Sequence, residues 1–117
     1  MRLTEITFDE GRPVDGYGPN FFRIAGEAFE GQVAILPNSC GHWLGFEDPT
    51  PFVLAANDLD VVFVGTGAQI CQIPLNFRTA LEDAGIGVEI MNSPTACRTY
   101  NVMLSEGRRI GLALIPV

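Results

Sequence analysis

The strongest constraint on what this chain can fold into lies between residues 60 and 116, where five stretches alternate between strand-like and helix-like. Asp60 to Gly65 is a short apolar run rich in β-branched residues. Pro74 to Ala84 places Leu75 or Phe77, Ala80, Leu81 and Ala84 on one helical stripe, which Gly85 closes as a C-cap. Ile86 to Met91 reads as a strand. Pro94 to Glu106 reads as a helix with Ser93 as N-cap and Pro94 at the first helical position, and Arg108 to Pro116 alternates into a last strand. The order is β-α-β-α-β. Short links between such units impose right-handed crossovers and parallel strands.

The first sixty residues read differently. Leu3 to Phe8, Phe21 to Ala25 and Gln32 to Leu36 are β-like, and two turn clusters separate them, one from Gly11 to Asn20 and one from Gly26 to Gly31. Between Pro37 and Asp60 the pattern weakens, leaving a short strand around His42, Trp43 and Leu44 and a helical turn near Phe52 to Asn57. The predicted fold is therefore α/β: a single compact domain over residues 1–117, with a mixed sheet, antiparallel N-terminal strands, and a C-terminal β-α-β-α-β parallel portion covered by helices. A chain of 117 residues is long enough to bury a real core as one domain.

Charge narrows the partners. Residues 1 to 60 carry ten acids against three arginines, whereas residues 61 to 117 carry four of each, so the net −7 comes entirely from the N-terminal portion. Such a surface repels phosphate backbones and anionic lipid, which disfavours nucleic acid and bare membrane and favours a protein partner. All seven cations are arginine. That removes lysine Schiff-base, general-base and P-loop chemistry. No apolar run approaches the roughly 18 residues of a membrane span, and the first residues resemble neither a secretory nor an organelle leader, so a cytoplasmic protein without direct membrane insertion is expected. Cys40, Cys71 and Cys97 are odd in number and form no CxxC, which predicts reduced thiols rather than a disulfide framework.

Residues 93–101, Ser-Pro-Thr-Ala-Cys-Arg-Thr-Tyr-Asn, concentrate polar chemistry that core packing does not require. At 100° per residue, Ala96, Cys97, Tyr100, Met103 and Leu104 gather on an apolar arc, while Arg98, Asn101, Val102 and Ser105 face the other way. Cys97 then reads as a buried hydrophobe before a nucleophile. Arg98, Thr99 and Asn101, near free helix N–H groups, are candidates to bind a carboxylate or phosphate, against the plainer reading that Arg98 pairs with Glu106, Glu89 or a terminal carbonyl. Gly65, Thr66 and Gly67 follow a strand where open α/β sheets place ligand loops, yet they lack the GxGxxG spacing and the downstream acid of a dinucleotide site. His42 and Cys40 supply half of a zinc set at most, no paired carboxylates stand out, and Arg108 with Arg109 reads as a solvated guard on a strand edge. No cofactor or metal and no complete catalytic set is legible.

The Gly65 to Gly67 loop, the Pro74 to Gly85 helix, Gly87-Val88-Glu89, residues Ala96 to Val102 and Glu106 to Arg109 together resemble a known family. It is the small one-domain α/β family of unknown function typified by a methanobacterial structural-genomics protein, whose eukaryotic relatives include a mitochondrial respiratory complex I assembly factor. The likeness extends to Gly31 to Pro37 and Trp43, although Asn92-Ser93-Pro94 departs from the Asp-Thr pair expected before that helix. The resemblance implies an α/β sandwich with no established enzymatic mechanism. It also implies an accessory or assembly role beside a membrane complex, such as respiratory complex I or the translocation machinery, reached through a protein partner; homo-oligomers are compatible with it. The rival expectation is a small-molecule or anion-binding domain, or an enzyme, using Gly65 to Gly67 and the helix N-terminus near Arg98.

Overall fold

The computed structural model describes residues 6–117; the part of the expected first strand before Ile6 lies outside the described residues. Nine strands are described: β1 Ile6–Thr7, β2 Val14–Gly18, β3 Phe21–Ile24, β4 Glu27–Glu30, β5 Val33–Leu36, β6 Ser39–His42, β7 Val61–Thr66, β8 Gly87–Met91 and β9 Ile110–Ile115. The helices are α1 Thr50–Leu54, α2 Leu75–Asp83 and α3 Ser93–Ser105, with a 3-10 turn at Ala56–Asp58.

Six strands form one mixed sheet in the order β1-β6-β5-β9-β7-β8, in which β7 runs parallel to both β8 and β9 while β5 joins β9 antiparallel. The expected β-α-β-α-β portion is present. Its first crossover steps outward from β7 to β8 and its second steps back past β7 to β9, so right-handed connections put α2 and α3 on opposite faces. Packing agrees. On one face α3 contributes Ala96, Cys97 and Tyr100 to a core with Phe63, Ile110, Leu112 and Leu114; on the other, Phe77 and Leu81 of α2 meet Val62, Val64, Val88 and Ala113. Strands buried on both faces need near-continuous apolar sequence, which Val61 to Val64 and Leu112 to Ile115 supply.

The antiparallel portion is richer than expected. Both clusters read as turns, Gly11 to Asn20 and Gly26 to Gly31, contain strands, β2 and β4, which pair with β3 in a separate three-stranded sheet. Their glycines and charges masked the alternation, because this sheet buries one face only: Val14, Phe22, Ile24 and Phe29 point to the α3-side core while Asp15, Arg23 and Glu27 face solvent. The strand expected around His42 to Leu44 ends at His42, and the buried Trp43 leaves it to join a loop.

Helix ends follow local chemistry. Gly85, at φ +88°, lets the N–H groups of Gly85 and Ile86 bond Glu82 O and Leu81 O, closing α2 as expected. The start of α3 differs from expectation. Asn92 is the N-cap, its Oδ1 accepting the Thr95 N–H at 2.8 Å, and Ser93 is the first helical residue. Ser93 points inward. The expectation that Arg108 and Arg109 guard an edge is likewise corrected: β9 lies inside the sheet, and Arg109 forms an ion pair with Asp60 at 2.8 Å and donates to Asn57 O.

Candidate functional site

An open α/β sheet offers a ligand crevice where neighbouring strands send their following helices to opposite faces. Here that point lies between the carboxyl ends of β7 and β8, which brings the Gly65 to Gly67 segment against the start of α3. The chain closes the crevice with its own groups. Ser93 Oγ accepts the Gly67 N–H at 2.8 Å and donates to Ile115 O, while the Ser93 N–H bonds Gly67 O at 2.8 Å. Thr66 Oγ1 donates towards Gln69 O at 2.8 Å and accepts the Cys71 N–H at 3.1 Å.

Gly65 is required by this closure. A Cβ built there would stand 2.8 Å from Ser93 Cα and 2.7 Å from Ser93 Oγ, a clash with backbone that no side-chain rotation relieves. Gly65→Ala is expected to cost about 1–3 kcal/mol of stability by overpacking. Urea unfolding checks it, and an unchanged midpoint would contradict the closed junction.

Arg98, Thr99 and Asn101 do not join that junction. Arg98 is the sixth residue of α3, about 7–8 Å along the axis from Ser93 at 1.5 Å per residue. Its guanidinium is exposed and, among the described residues, bonds locally to Thr95 Oγ1 at 3.2 Å, not to Glu106 or Glu89. Asn101 is committed internally: its Oδ1 accepts the Val14 N–H at 2.8 Å and its Nδ2 donates to Val14 O at 2.9 Å, pinning β2 to α3. Tyr100 supports the same join, donating its hydroxyl to Arg12 O at 2.9 Å. Thr99 is half-buried on the opposite flank of the helix from Asn101.

Cys97 is buried, and desolvation pushes its thiol up to about 12 despite the opposing pull of Arg98. A protonated thiol is a poor nucleophile. A thiol whose folded pKa is raised favours the native state below its ordinary range, and that contribution is lost as pH rises above it. Native-state alkylation at pH 8 should therefore label the exposed Cys71 rapidly and leave Cys97 and the buried Cys40 slow, as peptide mapping would read. Fast labelling of Cys97 would restore it as a candidate nucleophile. Tyr100 is shifted upward for the same reason, desolvation by burial.

One further region carries exposed apolar side chains that no sequence motif marks. Around the first turn of α2, Leu75 is 74 % exposed and the preceding loop leaves Ile70 63 % exposed. Two clefts flank that turn. One, of about 330 Å³, is lined by Phe46, Pro49, Pro74 and Phe77; the other, of about 320 Å³, by Ile73, Leu75, Arg78 and Ile90. Of Leu75 and Phe77, the two candidates for the buried stripe, Phe77 takes the buried place.

Fold and site together define a small α/β protein whose sheet-end crevice is closed by its own hydrogen bonds. The chain belongs to the family described as "Protein of unknown function (DUF498/DUF598)", whose model matches residues 14–115. It is 43% identical over 117 residues to an uncharacterized protein of Rhodobacter capsulatus, covering 100% of this chain and 94% of that one. It is also 34% identical over 110 residues to human NADH dehydrogenase [ubiquinone] 1 alpha subcomplex assembly factor 3, covering 88% of this chain and 60% of that protein. Among solved structures, one described as an outer membrane protein of Bartonella henselae superposes with a TM-score of 0.83 at 27% identity, covering 92% of this chain and 97% of the other. The resemblance read from the motifs is thus a family relationship. The chain spans about three fifths of the length of the human assembly factor it matches.

Proposed function

We propose that this protein is a non-catalytic binding module acting as an assembly or accessory factor for a membrane complex of the respiratory complex I kind. The observation that carries this reading is the match to assembly factor 3 across 88% of the chain. Several features support it. The crevice that would hold a small ligand is occupied by Ser93 and Thr66, and the thiol nearest the candidate residues is held protonated. The sealed junction at Gly65, Thr66 and Gly67 weighs against the small-molecule and anion reading. No helix among the described residues is long and apolar enough to cross a membrane. In this reading the protein reaches the complex through a protein partner, from the cytoplasmic side.

The outer face of α3 is the proposed contact. Arg98 and Thr99 lie there with Val102, which is 52 % exposed, while Asn101 holds the helix in place from the side. An arginine beside exposed apolar surface has the composition of an interface anchor, and losing such an anchor typically costs about 2 kcal/mol or more, near thirtyfold in affinity. Affinity purification of the tagged protein from its native host should recover complex I assembly intermediates, and Arg98→Glu should lose them while remaining folded. Recovery of no complex I component by the folded wild-type protein would overturn the proposal.

A further inference from the structure

We propose that the outer edge of β8 is a docking site for an extended segment of a partner protein in which apolar and basic residues alternate. This goes beyond the assembly-factor reading and does not depend on it.

The edge is open on one side. β8 ends the order of the six-stranded sheet and, among the described residues, pairs only with β7. Gly87 directs its N–H to Asp60 O at 2.9 Å, that is, towards the β7 side. Backbone groups of alternate residues in a strand point to the same side, so Glu89 and Met91 also face β7, while Val88 and Ile90 direct their N–H and C=O groups outward. Two residues with outward donors and acceptors are a template for strand addition.

Side chains specify what is added. Residues directly opposite one another in paired strands share a face of the sheet. On the α2 face, Val88 and Ile90 pack with Phe77 and Leu81, and the cleft of about 320 Å³ bounded by Ile73, Leu75 and Ile90 borders the edge. Leu75 and Ile70 leave apolar surface uncovered on this part of the molecule. Residues of the incoming strand opposite Val88 and Ile90 therefore meet the Ile73, Leu75 and Ile90 side of this cleft, whose remaining lining is Gln72 and Arg78, the latter paired with Glu82. On the α3 face the central residue of β8 is the exposed Glu89, so the incoming residue between those two meets a carboxylate. The complementary segment reads apolar, basic, apolar.

Charge also selects against the simplest rival occupant, a second copy of this chain. Antiparallel pairing of β8 with itself would place Val88 opposite Ile90 of the other copy and Glu89 opposite its own counterpart. Two carboxylates at about 4.5–5.5 Å between Cβ atoms destabilise such a pair. The net charge of −7 adds long-range repulsion between copies and attraction for a basic segment. Glu89 thus prevents self-pairing while admitting a strand that brings a cation, which is how charged edge residues separate wanted from unwanted pairing.

The test uses the full chain, labelled with nitrogen-15, and a capped peptide of alternating valine and arginine as probe, with valine–glutamate and proline-interrupted peptides as comparisons. The valine–arginine peptide should shift the amide resonances of Val88 and Ile90 saturably and slow their hydrogen exchange, while the other two peptides should not. In Glu89→Lys the preference should invert: the valine–arginine peptide should bind about tenfold more weakly and the valine–glutamate peptide should gain binding. Because Glu89 is exposed, an unchanged spectrum elsewhere shows that the variant is folded. Absence of shifts at Val88 and Ile90, equal binding of all peptides, perturbations confined to other strands, or a wild-type dimer joined through β8 would each overturn the proposal. Neither result bears on whether complex I intermediates are recovered through α3.

Discussion

Replacing Trp43 by alanine is expected to lower the unfolding free energy by about 3–5 kcal/mol, the largest loss foreseen for a single substitution in this chain. Trp43 is buried at the centre of an aromatic cluster on the α2 face. Its ring meets Phe46 at 5.4 Å and Phe52 at 5.7 Å, both edge to face, and Phe77 at 5.6 Å in a tilted arrangement. Its Nε1–H donates to Asp48 O at 2.8 Å, which ties the loop between β6 and α1 to the core. Alanine removes the area, the ring contacts and the donor together, and the rigid neighbours Phe52 and Phe77 cannot close the gap. Urea unfolding followed by circular dichroism measures the loss. A decrease below about 1 kcal/mol would show that the cluster does not hold α1 and α2 to the sheet.

The second large effect is expected at Asn101. Asn101→Ala should cost about 2–4 kcal/mol, because it strips the partners from both the N–H and the C=O of Val14, a nearly buried residue. Asn101→Asp should also destabilise. Its carboxylate still accepts the Val14 N–H, but its second oxygen meets the Val14 carbonyl instead of donating to it. Faster hydrogen exchange across β2, β3 and β4 should accompany the loss, since Asn101 and Tyr100 are the polar links that hold this sheet to α3. Arg98→Ala, in contrast, should leave stability within about 0.5 kcal/mol, as expected for an exposed side chain with one local bond. This pair separates two roles that share a helix. If Asn101→Ala left stability untouched while weakening partner capture, Asn101 would be a contact residue rather than a clamp.

The two halves of the chain were unequally legible, for a physical reason. A parallel strand buried on both faces must be apolar throughout, and its crossover helix must carry a 3.6-residue stripe, so Val61 to Thr66 and Leu75 to Asp83 announce themselves locally. The three-stranded sheet of β2, β3 and β4 buries one face only, and its strands are four or five residues long. Gly16 and Gly18 in β2, and Glu27 and Glu30 in β4, resemble turn residues because half of each strand lies in water. Its existence depends on Phe22, Ile24 and Phe29 reaching the α3-side core, a long-range contact that no local window contains.

The candidate residues divide in the same way. The apolar arc of α3 was readable from spacing, and Ala96, Cys97 and Tyr100 are buried as that spacing requires. Asn92, Ser93 and Asn101 were not separable as cap, plug and clamp: Asn92 and Ser93 are both good N-cap residues beside Pro94, and the partners that distinguish Ser93 and Asn101 lie far along the chain, Gly67 and Ile115 for Ser93 and Val14 for Asn101. Arg109 reads as an edge cation until the position of β9 between β5 and β7 is known.

By itself the sequence determined the α/β class, the β-α-β-α-β order, the family, the apolar face of α3 and the absence of lysine chemistry. Those properties live in residue type and short-range periodicity. Tertiary structure alone decided that Gly65 to Gly67 is a sealed junction, that Asn101 clamps a second sheet, and that β8 is an edge with Glu89 at its centre. Each depends on which strands become neighbours, and that choice is made by burial summed over the whole chain, not by any segment of it.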